Sequence, residues 1–158
     1  MMQSRIHLAA LAATLALAGC QDAIVQPVYS VHDYDPSRDA AADLAETIRL
    51  AGNENKRILL QVGGQWCGWC HKLDRYVAEH PAVAAALAEH YIIMKVNYSE
   101  DNRNEEFLAQ FPKIPGYPHL YVLRSDGALL FSQPTAELEA GDSYDEAAVL
   151  AFLERWKG

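Results

Sequence analysis

The feature that most constrains this chain is a pair of cysteines, Cys67 and Cys70, at the point where an apolar segment gives way to a helical pattern. Residues 58–62 form a short, apolar and mostly aliphatic run, which is typical of a buried strand. Two glycines break this run, and beyond the cysteines Leu73 and Val77 continue with helical spacing. The sequence therefore predicts a strand followed by a helix, with the first cysteine at the start of the helix.

This position predicts different roles for the two cysteines. Unpaired N–H groups and the macrodipole at a helix N-terminus stabilise an anion, which favours Cys67 as a thiolate, the attacking form. Cys70 lies one helical turn further on and can reach Cys67 to resolve a mixed disulfide. The two are too close in sequence to link distant parts of a fold. We therefore interpret them as a reaction site that works through a redox-active disulfide and needs no other cofactor.

Length and charge limit the other classes of protein. With 158 residues, of which 51% are hydrophobic, the chain is long enough for one domain with a sizeable core. Its formal charge is −8, from 13 Lys and Arg against 21 Asp and Glu. That balance argues against a nucleic-acid partner, because such proteins need clustered basic residues. The histidines show no metal-ligand spacing with each other, and no metal site is predicted.

The N-terminal segment has the pattern of an export signal. Arg5 precedes an apolar run over residues 6–18, too short to span a bilayer, which ends in Leu17-Ala18-Gly19-Cys20. This ending resembles the lipobox of bacterial lipoproteins, which implies a signal peptide over residues 1–19 and a lipid anchor on Cys20. An ordinary signal peptide with a chance cysteine is the alternative. Gln21 stands where an Asp would resemble an inner-membrane retention signal, so the expected location is the periplasmic side of the outer membrane rather than the inner.

The remaining chain predicts a tether and one α/β domain. Residues 20–36 carry Pro27 and Pro36 without a helical period, and we interpret them as a lipidated tether reaching at most roughly 50 Å. The domain then runs over residues 37–158, with Ser37 as the candidate cap of its first helix. Helical and strand patterns alternate and then end in a hairpin and a last helix: strands at 58–62, 91–96, 120–123 and 129–131, with a short helix at 104–111. That order predicts a central mixed sheet flanked by helices.

Two segments carry a family resemblance. The first is Trp66-Cys67-Gly68-Trp69-Cys70-His71-Lys72-Leu73-Asp74, which resembles the active-site segment of thioredoxin-like domains that handle disulfides in the periplasm. The second, Gly116-Tyr117-Pro118 before a strand, is similar to the cis-proline loop of that family. The resemblance implies a thioredoxin-like fold, a cis Pro118, and a Tyr117 backbone that pairs with an extended substrate next to Cys67. A trans proline that ends a strand is the alternative at Pro118.

The surroundings of the cysteines add further candidates. Trp66 and Trp69 could form a hydrophobic rim for partner docking, although Trp66 could equally be a packing residue. The family commonly has a buried acid six residues before the first cysteine, where this chain has Gln61, which cannot titrate. Proton removal from Cys70 would then need water or another group. His71 is adjacent and could serve, or it could simply be a solvent-exposed helix residue.

The resemblance implies a thiol–disulfide oxidoreductase, and its direction is the open question. Gly68-Trp69 between the cysteines contains no proline or histidine, and nothing in this dipeptide suggests a strong oxidant. We therefore expect a disulfide reductase that acts on exported proteins with cysteines and is recharged by a membrane-bound electron donor. A disulfide oxidase or isomerase is the alternative.

Two other kinds of site fit the same residues. Cys67-Gly68-Trp69-Cys70-His71 also matches the C-x-x-C-H signature of covalent c-type haem, with His71 and Met94 as possible axial ligands. The α/β pattern argues against this, since small c-type cytochromes are largely helical. Alternatively, a thioredoxin-fold module could bind a soft ion such as Cu(I) through Cys67, Cys70 and His71.

Overall fold

A five-stranded mixed sheet forms the centre of the molecule. The computed structural model describes residues 25–158. In chain order the elements are β1 (Val28–Val31), α1 (Ala40–Glu54), β2 (Arg57–Gly63), α2 (Gly68–Glu79), α3 (Pro81–His90), β3 (Tyr91–Asn97), α4 (Glu105–Leu108), β4 (His119–Leu123), β5 (Leu129–Pro134), a 3₁₀ helix (Thr135–Leu138), β6 (Glu139–Ala140), β7 (Ser143–Tyr144) and α5 (Glu146–Trp156). The strands of the sheet follow the order β1-β3-β2-β4-β5. β3 pairs in parallel with β1 and β2, and β4 runs antiparallel to both of its neighbours, β2 and β5.

Both faces of the sheet are covered, and the strands are correspondingly apolar. Successive residues of a strand point to opposite faces, so β2 contributes Leu59 to one core cluster and Leu60 to the other. Buried side chains of α2, α3 and α5 complete the first cluster, and α1 and α4 pack on the second. This arrangement confirms the prediction of a mixed sheet flanked by helices, and it leaves the β2–α2 junction at one end of the sheet.

Residues 28–31 correct the predicted tether. They form the edge strand β1, which pairs in parallel with β3 at Val28–Ile92 and Tyr29–Ile93. The prolines at 27 and 36 lie outside this strand and therefore do not interrupt it. A four-residue edge strand is too short to show a clear period, so the sequence did not reveal it. The ordered domain thus begins before residue 37, while the signal peptide at 1–19 and Cys20 lie outside the described residues.

Smaller differences concern helix boundaries. α1 begins at Ala40 and is capped by Asp39, whose carboxylate accepts hydrogen bonds from the amides of Ala41 and Ala42. Ser37, the predicted cap, instead donates its hydroxyl to Asp35. The short helix expected at 104–111 is limited to Glu105–Leu108. None of the helices within residues 25–158 is both long and apolar enough to cross a membrane.

His119 makes stability depend on pH. Its side chain is fully buried in β4, its Nε2 atom lies 2.8 Å from the Ser132 hydroxyl, and its Nδ1 atom has no hydrogen-bond partner among residues 25–158. Burial lowers the pKa of this imidazole from 6.5 to about 4. Between those pH values the unfolded chain binds a proton at this imidazole that the folded chain does not. The contribution of the neutral His119 side chain to the free energy of unfolding is therefore complete above pH 6.5 and is lost as the pH falls toward about 4.

We expect the free energy of unfolding to fall by about 2 kcal/mol between pH 7.5 and pH 4.5 through His119 alone. Urea unfolding at both pH values measures the fall in the unaltered chain and in His119→Gln, which keeps a polar side chain but cannot titrate. Carboxylates contribute equally to the pH dependence of both proteins, so the free energy of unfolding should fall less in His119→Gln than in the unaltered chain. An identical fall in the two proteins would contradict the assignment.

Candidate active site

Cys67 and Cys70 are joined in a disulfide at the start of α2. Cys67 is the N-cap residue, with an extended backbone (φ −89°, ψ 104°), and Cys70 lies in the first turn of the helix. The Cα atoms are 5.2 Å apart. The backbone amide of Cys70 donates a hydrogen bond to the Cys67 sulfur over 3.1 Å. An N-cap acceptor of this kind stabilises negative charge, so the geometry favours a Cys67 thiolate after reduction.

The two sulfurs differ in the residues that surround them. Cys70 is fully buried and Cys67 is 3% exposed in the disulfide form. Cys67 follows directly on Trp66, which is 59% exposed and marks the surface next to the first sulfur. Cys70 instead packs toward β2, where Gly63 lies beneath its sulfur. The arrangement places the proposed nucleophile next to a surface residue and the resolving thiol within the protein.

An aromatic cluster borders Cys67. The indole N–H of Trp66 donates to the Tyr98 carbonyl over 2.7 Å, and its ring meets Tyr117 edge to face at 5.5 Å. Tyr117 in turn stacks on Tyr98 at 4.9 Å. The Tyr117–Pro118 peptide bond is cis, as predicted. Trp66 is therefore held by packing while much of its side chain is exposed, and its role in partner docking stays a prediction.

A hairpin that the sequence did not predict supports Trp69. The Tyr144 ring, from β7, meets the Trp69 ring edge to face at 5.5 Å, and its hydroxyl donates to the Trp69 carbonyl over 3.3 Å. The Lys72 Nζ atom also lies over the Trp69 ring, 3.9 Å from its centre. Strands of two residues, such as β6 and β7, carry no readable period, which is why this support was missed.

Beneath the disulfide, Gln61 connects a buried tyrosine to an acid. Its amide nitrogen donates to the Tyr34 hydroxyl over 2.8 Å and to Asp74 Oδ1 over 3.1 Å. Lys95 donates to the other oxygen of Asp74 over 2.8 Å. The carboxylate absent from β2 is thus supplied by α2, four residues after Cys70. That i, i+4 spacing on one helix face could have identified Asp74 from sequence.

Tyr34 could not have been identified in the same way. It lies in the segment expected to be a tether, yet it is only 3% exposed and packs against both cysteines. Its neighbours in sequence are polar and give no periodic signal. The contact depends on β1 being held at the edge of the sheet, which is a tertiary effect.

His71 and Met94 do not meet at the cysteines. The Nε2 atom of His71 lies 2.8 Å from the Gln65 carbonyl oxygen, so the ring donates its proton to the loop that precedes Trp66. Met94 is fully buried in the core cluster on the α1 face, which contains neither cysteine. Within residues 25–158 no three His, Cys, Asp or Glu side chains are grouped so as to hold a metal ion. The placement of Met94 argues against its role as an axial haem ligand.

Comparisons with known proteins agree with this geometry. The chain is 27% identical over 128 residues to the thiol:disulfide interchange protein DsbD of Pseudomonas fluorescens, covering 80% of this chain and 20% of that protein. It is 27% identical over 105 residues to the disulfide bond reductase DsbH of Chlamydia pneumoniae, covering 58% and 63%. It therefore spans only about a fifth of the length of its DsbD relative.

Solved structures and a family model agree on the fold. A disulphide isomerase from Xylella fastidiosa superimposes with a TM-score of 0.66 at 23% identity, over 77% of this chain and 94% of that one. The family model described as thioredoxin-like matches residues 39–125, which contain both cysteines and the cis proline. Since this match covers more than half of the sequence, the chain belongs to the thioredoxin-like family.

Proposed function

We propose that the chain is a thiol–disulfide oxidoreductase of the Dsb type that reduces disulfides in exported proteins. The observation that carries the proposal is the Cys67–Cys70 disulfide at the N-cap of α2, beside an exposed tryptophan and the cis Tyr117–Pro118 bond. The names of two relatives, a thiol:disulfide interchange protein and a disulfide bond reductase, support both the chemistry and its direction. The Gly68-Trp69 dipeptide between the cysteines agrees with a reductase.

The reaction consists of two exchange steps. The Cys67 thiolate attacks one sulfur of a client disulfide, forming a mixed disulfide and releasing the other client sulfur as a thiolate that takes a proton from water. Cys70 then loses its proton and attacks the Cys67 sulfur, which closes the Cys67–Cys70 bond and releases the second client thiolate. Two electrons have passed to the client. A membrane-bound dithiol donor must reduce the pair again before the next cycle.

The surface beside Cys67 suits an extended client. Trp66, Tyr98 and Tyr117 present an aromatic face, and aromatic side chains contribute strongly to protein contacts because they bury large areas. In this proposal the Tyr117 backbone pairs with the client segment that carries the reacting cysteine. This aromatic face then holds the mixed disulfide in place until Cys70 resolves it.

The proposed setting is the periplasmic side of a bacterial membrane, with a lipid on Cys20 and the outer membrane preferred to the inner. Because β1 begins at Val28, only residues 21–27 remain as the link to the anchor. Fully extended, that link reaches about 25 Å rather than the roughly 50 Å expected from sequence. Fractionation of cells tests the anchor, since the chain should leave the membrane fraction when Cys20 is replaced by Ala and should be unaffected if Cys20 carries no lipid.

Direction of electron flow is tested with an insulin disulfide as client. The reduced chain, supplied with a dithiol, should accelerate cleavage of the insulin interchain disulfides, whereas the oxidised chain should convert a reduced client to its disulfide only slowly. The opposite pattern would favour the oxidase alternative. If the chain accelerated only the rearrangement of disulfides in a scrambled, already oxidised client, the result would favour an isomerase.

A further inference from the structure

We infer that Tyr34 is a positioning residue for Cys70: its hydroxyl donates a hydrogen bond to the Cys70 sulfur once the disulfide is reduced and stabilises the thiolate that resolves the mixed disulfide. The role of Tyr34 in resolving a mixed disulfide rests on the proposed function. The contact itself is a property of the fold and is testable without a client.

Packing brings the hydroxyl and the sulfur close to one position, the place that a Cβ atom on Gly63 would occupy. Tyr34, Cys67 and Cys70 form a buried cluster separate from the two faces of the core. A side chain at Gly63 would put its Cβ atom less than 3.0 Å from the Cys70 sulfur and 3.1 Å from the Tyr34 hydroxyl oxygen. Both groups therefore converge on the space above Gly63, which the glycine leaves open for them.

Hydrogen bonding leaves the hydroxyl hydrogen free to meet the sulfur. The Tyr34 oxygen accepts from Gln61, and this is its only hydrogen bond among the described residues while the two sulfurs are joined. A tyrosine hydroxyl has one hydrogen to donate, and a thiolate is a better acceptor than a disulfide sulfur. Burial, reinforced by the charge of Asp74, raises the pKa of Tyr34 well above 10, so the hydroxyl keeps its proton.

The polar chain below Tyr34 fixes its orientation. Gln61 must present its amide nitrogen because Asp74 accepts from the same atom, and Lys95 holds Asp74 from β3. The Tyr34 oxygen consequently faces a donor, and its hydrogen has to point elsewhere. The arrangement makes Gln61 an orienting group rather than a proton acceptor.

Several other titratable groups face this site. Asp74 from α2 and Lys95 from β3 form an ion pair, and the Lys95 nitrogen lies 5.2 Å from the centre of the Tyr34 ring. Tyr29 from β1 and Tyr144 from β7 also interact with the Tyr34 hydroxyl electrostatically. Asp74 and Lys95 carry charges that could influence Cys70, so the test must separate the Tyr34 hydroxyl from this ion pair.

The hydrogen bond changes with the redox step without consuming Tyr34. Cys70 gives its proton to water and, as a thiolate, attacks the Cys67 sulfur. The bond between Cys67 and the client sulfur breaks, and the client leaves with the electron pair. Tyr34 neither gains nor loses a proton. Its hydrogen bond ends when the Cys70 sulfur becomes part of the disulfide, so the contact favours the reduced form.

Titration of Cys70 alone tests the inference. In the chain carrying Cys20→Ser and Cys67→Ser, which leaves Cys70 as its one cysteine, the thiolate absorbance near 240 nm reports the pKa of Cys70. Adding Tyr34→Phe should raise that pKa by about one unit or more, since hydrogen bonds to charged groups are worth about 1.5–3 kcal/mol. The matched control is Tyr29→Phe, which also removes a tyrosine hydroxyl from the N-terminal part of the domain. The Tyr29 hydroxyl makes no hydrogen bond to the described residues, so its removal should leave the Cys70 pKa unchanged.

Either of two results would overturn the inference: a Cys70 pKa unaffected by Tyr34→Phe, or an equal rise with Tyr29→Phe. If Tyr34→Phe does not fold, Gln61→Met serves instead, because it keeps the volume but removes the donor that orients the hydroxyl. It should also raise the Cys70 pKa, and no rise there would equally reject the contact. A chain that fails to reduce insulin but shows the pKa shift would contradict the proposed function and leave this inference standing.

Discussion

Replacing Cys67 by serine should abolish disulfide exchange, with a rate below about a thousandth of that of the unaltered chain. The reason is that the attacking thiolate is lost while a serine hydroxyl stays protonated at neutral pH. A serine at the N-cap still accepts the hydrogen bond from the Cys70 amide, so the fold should be retained. Insulin reduction measures the rate, and circular dichroism checks the fold.

Cys70→Ser is the matched variant, and its expected result is different. Cys67 remains able to attack, but nothing resolves the mixed disulfide, so the chain should accumulate covalently bound to its client. Non-reducing electrophoresis followed by mass spectrometry would show the adduct and identify the client sequence. Normal turnover by Cys70→Ser would show that the resolving role is wrong, and activity in Cys67→Ser would show that the nucleophile is.

Gly63→Ala should destabilise the oxidised protein by about 3 kcal/mol or more, the upper part of the range for overpacking a core. Gly63 is buried at the end of β2, and an added Cβ would come less than 3.0 Å from the Cys70 sulfur and 3.1 Å from the Tyr34 hydroxyl. The disulfide fixes that sulfur, so relief by rotation is blocked. The loss should therefore be larger in the oxidised form than in the reduced form.

Gly68→Ala provides the control for this prediction. Gly68 lies between the cysteines at the first position of α2, and a Cβ there meets nothing within 4 Å. Because alanine is the better helix former by about 1 kcal/mol, Gly68→Ala should be neutral or slightly stabilising. Urea unfolding of both variants, with and without a dithiol, gives the comparison. Equal stability of Gly63→Ala and the unaltered chain would contradict the close packing described here.

The parts of the fold that could be predicted are those with long local patterns. β2 and β3 are buried on both faces and read as continuous apolar runs, and α2 and α5 show helical periods. The cis bond at Pro118 is implied only by the family resemblance, because no local pattern around a proline distinguishes cis from trans. The strand β1 has four residues and is defined by its pairing with β3, which no local pattern records.

The same limit explains what was missed in the site. Cys67 and Cys70 were evident because their chemistry depends on one strand–helix junction. Tyr34 reaches the site from the segment after β1 and Lys95 from within β3, both remote in sequence from the cysteines. Tyr144 reaches it from a two-residue strand. The sequence shows that position 61 carries no acid and that Asp74 lies one helical turn after Cys70, but the hydrogen bond from the Gln61 amide to Asp74 is visible only in the structure.

The equilibrium reduction potential of the Cys67–Cys70 pair tests the central claim most directly, that this pair donates electrons to client disulfides. It is measured by equilibrating the chain with glutathione or dithiothreitol buffers and counting free thiols. A value near that of thioredoxin, about −270 mV, is the result that a reductase requires. A value near that of the strong periplasmic oxidant DsbA, about −120 mV, would make disulfide formation the favoured direction and contradict the proposal.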